Sequence, residues 1–544
     1  MLRLLSRACA CALSVAALTI ITGCGAARRR EANARAMAVA NARVLDGCYD
    51  CLLEARTVYA RVAASKDRKT AASAVVRMFE TDVLIALRET ELALDARGTI
   101  ERARALTPRL PPTLNASRVL AIVDAVLPDP HGVPPKAMDA LRAKHRAFVR
   151  NDIQRELDWL ANAPLTPVVR EYVGLALDCS YWTRPRGAPG SFVEGRKPPK
   201  VSAGAPPVIA YRIAICAGQD TAVLTKVRAA VPRFAEAAYN AAQVTAFASG
   251  ETGDDDATTL LDAAYARFPR APGVTFISGW FNTAMGDCEP AVRYFDETIA
   301  IEPEHERAYL ERTICLTRLQ RDSAAIESAT RLIALDTRST AQAYYWRSLN
   351  RLRRKELEVA RSDIEAAKAR AESDNILTLA GIIEHDQDDL GVAERDLRAA
   401  RGSPRGDENC TAAWYLASVL CKRLVWRESA ATYEAAMGCY DAKVAEIAAT
   451  IAKIQAHPRM TEALKLKRIQ RLAADSVDQR SRYHAAAFNA ANTNARDRNF
   501  PRAEELLAVA ARDPALADPV AKLREELKAV RGEPIRAARP SAIP

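Results

Sequence analysis

The residues best suited by type and spacing to do chemistry in this 544-residue chain are its twelve cysteines. Cys24 sits in "ITGCGAARRR", where an apolar run ends and a basic one begins. A thiol there is a core residue, half of a disulfide, or a point of attachment to a membrane. Cys48 and Cys51 stand three apart in "GCYDCLLEA". A haem-attachment site needs His where Leu52 stands, and a thioredoxin-like redox pair needs a preceding strand, which the pattern lacks. A zinc site needs a second close pair, and beyond Cys9 and Cys11 in the apolar start the sequence has none. A small local disulfide or two buried thiols remain. The six histidines are isolated, with no HExxH pair, and there is no G-x-S-x-G, phosphate loop or Ser/His/Asp spacing. No metal, cofactor or enzymatic activity is expected.

The elements that position these residues are helices. Ala and Leu abound, while Gly, β-branched and aromatic residues are sparse. The net charge of +11 comes from Arg and Lys scattered among acids rather than gathered in one tail or face. That argues against nucleic acid as a partner and for acidic proteins or anionic envelope polymers.

Residues 1–23 read as a segment that is removed. Arg3 and Arg7 precede an apolar run of about 14 residues, Ala8 to Ile21. A membrane-spanning helix needs about 20, so this is the length of a signal peptide. Ile21-Thr22-Gly23-Cys24 resembles the lipobox of bacterial lipoproteins, with Ile21 where Leu is commonest. The resemblance implies that Cys24 is acylated and becomes the first residue of the mature chain. Acyl chains hold a soluble domain on a bilayer at about 0.8 kcal/mol per buried CH₂. Gly25, not Asp, follows Cys24, which by the same resemblance permits export to the outer membrane of a Gram-negative bacterium. Arg28 to Arg30 would then lie against anionic head groups. Residues 24–46 are read as a tether running into a helix.

From Gly47 to Ala163 and on to residue 182 the chain reads as an N-terminal helical region, broken at Pro108, Pro111 and Pro112 and again between Pro128 and Pro135. Residues 183–207 hold six prolines and four glycines and form an irregular loop. Cys179 and Cys216 flank it, as a disulfide across its base or as two buried thiols.

From about Ala237 a pattern of Ala, apolar and small residues recurs at Ala257, Ala291, Ala325, Ala360, Ala393 and Ser429, with spacings of 34, 34, 35, 33 and 36. Twelve residues before each anchor is another small or short residue: Thr245, Gly279, Thr313, Ser348, Gly381 and Ala417. A seventh unit pairs Ala491 with Ala503. This resembles the tetratricopeptide repeat (TPR), two antiparallel helices per unit. Pro269 and Pro303 stand where that family ends its second helix, and Gly286 in the turn between helices. Leu332 departs from the pattern by replacing a small residue. The expected fold is all-α: an α-solenoid of TPR-like helix pairs over 208–440, with a helical hairpin at 441–480 whose Lys- and Arg-rich second helix protrudes. A seventh unit and capping helix follow at 481–531, and a disordered tail at 532–544.

The resemblance implies that the first helix of each pair lines a concave face. That face would carry Tyr239, Phe276, Trp280, Arg307, Leu310, Ile314, Arg318, Tyr345, Arg353, Trp414 and Lys422, some of the rings being inter-repeat core. Rings beside cations suit a peptide with apolar anchors and acidic neighbours. Adjacent helices would bring Cys288 near Cys315 and Cys410 near Cys439, leaving Cys421 unpaired. Asp254 to Asp256 read as a helix cap and Glu384 to Asp389 as a solvated acidic turn. The function expected is a lipid-anchored, periplasm-facing scaffold or assembly factor that presents its groove to a protein or peptide partner in the cell envelope. The alternative is a ligand-binding component of a periplasmic transport system, marked by a deep apolar cavity among the N-terminal helices. An enzyme hidden within residues 47–235 would show there a cluster of titratable groups with shifted pKa values.

Overall fold

The computed structural model describes residues 27–92, 94–126, 153–182, 200–216, 220–248, 255–403, 409–458 and 460–530. Cys24, residues 1–23, most of the 183–207 loop, Asp254 and the tail from Gly532 lie outside them. Among the described residues every regular element is a helix, and no helix is long and apolar enough to cross a membrane. The chain divides into two compact units. The first holds Met1–Gly250, Asp256–Ser278 and Glu297–Glu304; the second holds Glu251–Asp255, Gly279–Asp296 and His305–Pro544.

The first unit contains α1 (residues 27–46), α2 (Tyr49–Ala63), α3 (Arg68–Glu91), α4 (Arg97–Leu106), α5 (Ala116–Val126), α6 (Ile153–Asn162), α7 (Pro167–Trp182), α8 (Pro207–Cys216) and α9 (Thr221–Ala230). Its core includes Leu52, Phe79, Leu84, Val119, Tyr172 and Val208. α3 is the central element: every residue from Met78 to Glu89 is buried. A helix covered on all sides has no solvated stripe for its charges, so Glu80, Asp82, Arg88 and Glu89 must find partners inside.

Seven helix pairs follow, as the repeat period requires. Helix A and helix B of the successive pairs are α10 (Ala235–Ala248) with α11 (Asp255–Arg267), α12 (Pro272–Met285) with α13 (Cys288–Ile301), and α14 (Glu306–Arg318) with α15 (Asp322–Ala334). Then come α16 (Thr340–Arg353) with α17 (Leu357–Lys368), α18 (Asp374–Asp386) with α19 (Leu390–Arg401), and α20 (Cys410–Lys422) with α21 (Trp426–Gln455). The seventh pair is the C-terminal part of α22 (Glu462–Arg496) with α23 (Phe500–Ala510), and α24 (Ala517–Val530) closes the chain. The division between the two units passes through α12 and α13.

The small-residue positions are where helices A and B touch. The anchors Ala257, Ala291, Ala325, Ala360, Ala393 and Ser429 are all at 0% exposure. A Cβ on Gly381 would come within 2.5 Å of Leu397 Cγ, and one on Gly279 within 2.6 Å of Phe295. Where the small residue is Ser it also donates across the contact. Ser348 Oγ bonds the Ala360 carbonyl at 2.7 Å, and Ser429 Oγ bonds the Ala417 carbonyl at the same distance. Leu332, the departure from the pattern, is accommodated at full burial.

Six of the A-to-B turns, all those among the described residues, share one backbone solution. Gly286, Gln320, Lys355, Asp388, Leu424 and Arg498 all have positive φ, between 58° and 79°. In each turn the next residue's N–H reaches back to the helix-A carbonyl five positions earlier, as Arg321 does to Leu316 and Val425 to Leu420, both at 2.9 Å. This is the Schellman closure, normally supplied with glycine.

Candidate functional site

The expected concave residues do not share one fate. Tyr239 and Phe276 are buried, at 1% and 5% exposure, so they pack the core and offer nothing to a partner. Trp280, Leu310, Ile314, Tyr345 and Trp414 are half-buried, and Arg307 is exposed. Burial pushes the Tyr345 hydroxyl's pKa up.

Arg318, Arg353 and Lys422 have work inside the array. Arg353 Nη1 donates to the Thr317 carbonyl at 2.8 Å, and Lys422 Nζ to the His385 carbonyl at 3.2 Å. Arg318 Nη1 donates to the Thr283 carbonyl at 3.4 Å. Each accepting carbonyl lies in the last turn of an earlier helix A. These cations cap helix C-termini, where orphan carbonyls and the helix dipole favour positive charge. They staple one repeat to another. Arg353 also faces Asp322, the first residue of α15, at 3.4 Å.

A concave site does exist on helix A of the sixth pair. A cavity of about 310 Å³ is lined by Thr411, Trp414, Tyr415, Tyr440, Asp478 and Arg482, with Ser481 and Ala485. Arg482 Nε donates to Asp478 at 2.9 Å. Trp414 meets Tyr433 edge-on at 5.6 Å, and Tyr415 meets His385 edge-on at 5.6 Å, so both rings are braced from behind. The Cys410–Cys439 disulfide ties α20 to α21 beside the cavity, with a Cα–Cα distance of 5.4 Å. Trp414 belongs to the sequence-derived set. Tyr415, Tyr440, Asp478 and Arg482 do not; Tyr415 adjoins Trp414 on the same helix, and the others come from the long α21–α22 pair.

That pair forms an arm whose second helix does not protrude freely, contrary to expectation. Lys467 Nζ reaches Asp287 at 2.7 Å, across 180 positions of sequence. Arg471 lies against Gly286, where a Cβ would overlap its guanidinium. Ile454 and Met460, near the arm's tip, are buried at 0% and 5% exposure. The arm therefore returns to the turn between α12 and α13.

The remaining thiols sort cleanly. Cys48 and Cys51 are bonded to each other. Cys216 is in a disulfide; the side chain of Cys179, its expected counterpart, lies outside the described residues. Cys288 and Cys315, expected as a bridge, are both free and buried, and Cys421 is free and half-buried. Cys288 and Cys315 share a hydrogen bond. It is the foremost influence holding the Cys288 thiol down at about 7, against burial and with help from Arg318 and Arg471. The same bond and burial push Cys315 far up.

In the acidic stretch Glu384 to Asp389, Asp386 and Asp388 are exposed, as expected, and only Glu384 departs. Glu384 is 2% exposed, not solvated. Burial, with Asp396 nearby, pushes it up to about 7.

The first unit holds the charge cluster that a hidden enzyme would need. Arg88 donates to Glu91 Oε2 at 2.8 Å and lies 3.7 Å from the Tyr211 ring centre. Arg212 and Tyr172 donate to Glu91 Oε1 at 2.6 and 2.8 Å. Burial pushes the Glu91 carboxyl up, but Arg88, Arg212 and Tyr172 outweigh it and leave it below its usual range. Glu236 accepts from the Tyr49 backbone N–H at 2.5 Å. Burial, only partly offset by Arg88, raises Glu236 to about 7. Arg88, Tyr172 and Tyr211 are at 0% exposure. These mutually paired, largely buried charges clamp α2, α3, α7, α8 and α10 together.

The repeated helix pairs define an α-helical repeat protein. The family model described as Iml2/Tetratricopeptide repeat protein 39 matches residues 219–378, so that stretch is similar to TPR repeats. No curated protein matches it. Among solved structures, YrrB, described as a TPR protein with an unusual peptide-binding site, shares 17% identity over 42% of this chain and 97% of its own, with a TM-score of 0.30. A TPR protein from Parabacteroides merdae shares 17% over 52% of this chain and 98% of its own, at 0.30. A thermophilic TPR protein of Thermus thermophilus shares 19% over 33% and 95%, at 0.28.

Proposed function

We propose that the chain is a lipid-anchored scaffold of a bacterial envelope. It would hold a protein or peptide partner on the helix-A face of its repeat array, with the Trp414–Tyr415–Tyr440 cavity as the anchoring point. The observation that carries the binding part is the cavity itself. Rigid, braced rings bring large contact area at little entropic cost, and the Asp478–Arg482 pair offers a donor and an acceptor to a peptide backbone. A helical repeat scaffold is suited to protein–protein interaction. The anchor rests on Ile21 to Cys24 and on the apolar run before them. The periplasmic setting gains support from bonded cysteines in both units.

Two experiments test the two parts separately. A photocrosslinking amino acid at position 415 should yield a discrete adduct in cells, and the same probe at Arg395, on an exposed helix B surface, should not. Equal adducts at both positions would remove the cavity from consideration. Metabolic labelling with an alkynyl fatty acid should mark the wild type and not Cys24→Ala. Label that persists in the variant would remove the anchor.

A further inference from the structure

Cys288 occupies a position that another repeat gives to a carboxylate. It is the first residue of α13, as Asp322 is the first residue of α15. Asp322 faces Arg353, and Cys288 faces the corresponding Arg318. The thiol therefore has a helix N-terminus behind it and a guanidinium beside it, the setting that favours thiolate. Two features are special to this repeat. Cys315, at 0% exposure on α14, supplies a second thiol bonded to the first, and its own Sγ lies 3.3 Å from Thr283 Oγ1. Arg471, from the returning arm, brings a second guanidinium to the same turn.

We propose that Cys288 and Cys315 are a redox-active dithiol that exchanges with low-molecular-weight disulfides, and that its oxidation releases the α21–α22 arm. Cys288 is 5% exposed, so local opening of the turn admits the external disulfide; the Cys288 thiolate attacks one of its sulfurs, forming a mixed disulfide and expelling one thiolate, which takes up a proton. Cys315 then gives up its proton and attacks Cys288 Sγ, expelling the second thiolate. Two protein thiols become one disulfide, and the external disulfide becomes two thiols. The bond removes the negative charge at Cys288. Arg471 and Arg318 are then left facing the turn without that counter-charge, which weakens one of the arm's contacts there, beside Lys467 with Asp287. Cys421 is the internal reference. Burial pushes its thiol's pKa up.

The full chain is incubated with oxidised glutathione at neutral pH and analysed by peptide mass spectrometry and hydrogen–deuterium exchange. In the wild type a Cys288–Cys315 linked peptide should form, and exchange in residues 460–475 should rise with it. In Cys315→Ser the glutathione adduct should stop at Cys288 and build up about ten-fold faster than on Cys421. There too arm exchange should rise, because the mixed disulfide also removes the negative charge at Cys288. No linked peptide in the wild type would overturn the dithiol. A linked peptide with unchanged arm exchange would overturn the coupling to the arm. Both of these readouts come from the wild type, so a variant that folds poorly does not decide the outcome.

Discussion

The guanidinium of Arg471 rests on the Cα face of Gly286, a residue 185 positions earlier in a turn that five other repeats close without glycine. Gln320, Lys355, Asp388, Leu424 and Arg498 take the same positive φ with full side chains. Conformation alone therefore does not demand glycine at 286. A Cβ there would have to push the Arg471 guanidinium aside.

Gly286→Ala should consequently cost more than its backbone strain. A left-handed alanine costs about 1–2 kcal/mol; displacement of Arg471 adds to it. The variant should melt lower and show raised hydrogen exchange in residues 460–475. In an Arg471→Ala background the same substitution should lose only the strain component. Equal losses in both backgrounds would refute the contact's role.

Leu424→Gly should stabilise the chain. Leu424 has φ 65° and is 57% exposed, so it gives up little packing. Relief of left-handed strain against the extra freedom of glycine leaves a gain of roughly 0.5–1 kcal/mol. Denaturant unfolding of the second unit should show the midpoint rise; a fall would mean the side chain packs in a way its exposure conceals.

Arg353→Met should reduce stability by about 0.3–1 kcal/mol, the worth of a cation at a helix C-terminus. Crosslinking of a partner from position 415 should persist. Loss of the crosslink at unchanged stability would return Arg353 to the binding face.

Glu236→Gln should alter the pH dependence of the first unit. The folded pKa of about 7 lies above the ordinary 4.5. The folded state thus holds its proton more tightly, and stability falls as pH rises from about 4.5 through about 7. Gln keeps the acceptor for the Tyr49 N–H and cannot ionise. The variant should be more stable than the wild type at pH 8 and nearly equal at pH 4, by thermal melts at both. An unchanged pH profile would show that Glu236 does not titrate in that window.

Much of the array was legible because its signals are local. Gly279, Gly381, Ala360 and Ala393 are small for a reason that acts within one helix pair, so their period survives in the sequence. The turns were only partly legible: Gly286 announces a positive φ, whereas Leu424 and Lys355 adopt it against their own preference. The second task of Arg318, Arg353 and Lys422 was not legible, because the carbonyls they cap belong to earlier repeats. Glu384 reads as solvated from its acidic neighbours, yet it falls on the buried side of α18. Contacts such as Lys467 with Asp287 leave no periodic trace at all, and the cavity walls contributed by α22 were hidden for the same reason.

The returning arm changes how the second unit would bear a load. A stack in which each repeat touches only its neighbours stretches like a spring, one interface yielding at a time. Here the Lys467–Asp287 and Arg471–Gly286 contacts lie in parallel with the repeats between them. Tension applied across that span must open the clasp before the coils can lengthen, so the first event under force is a single release rather than a gradual extension.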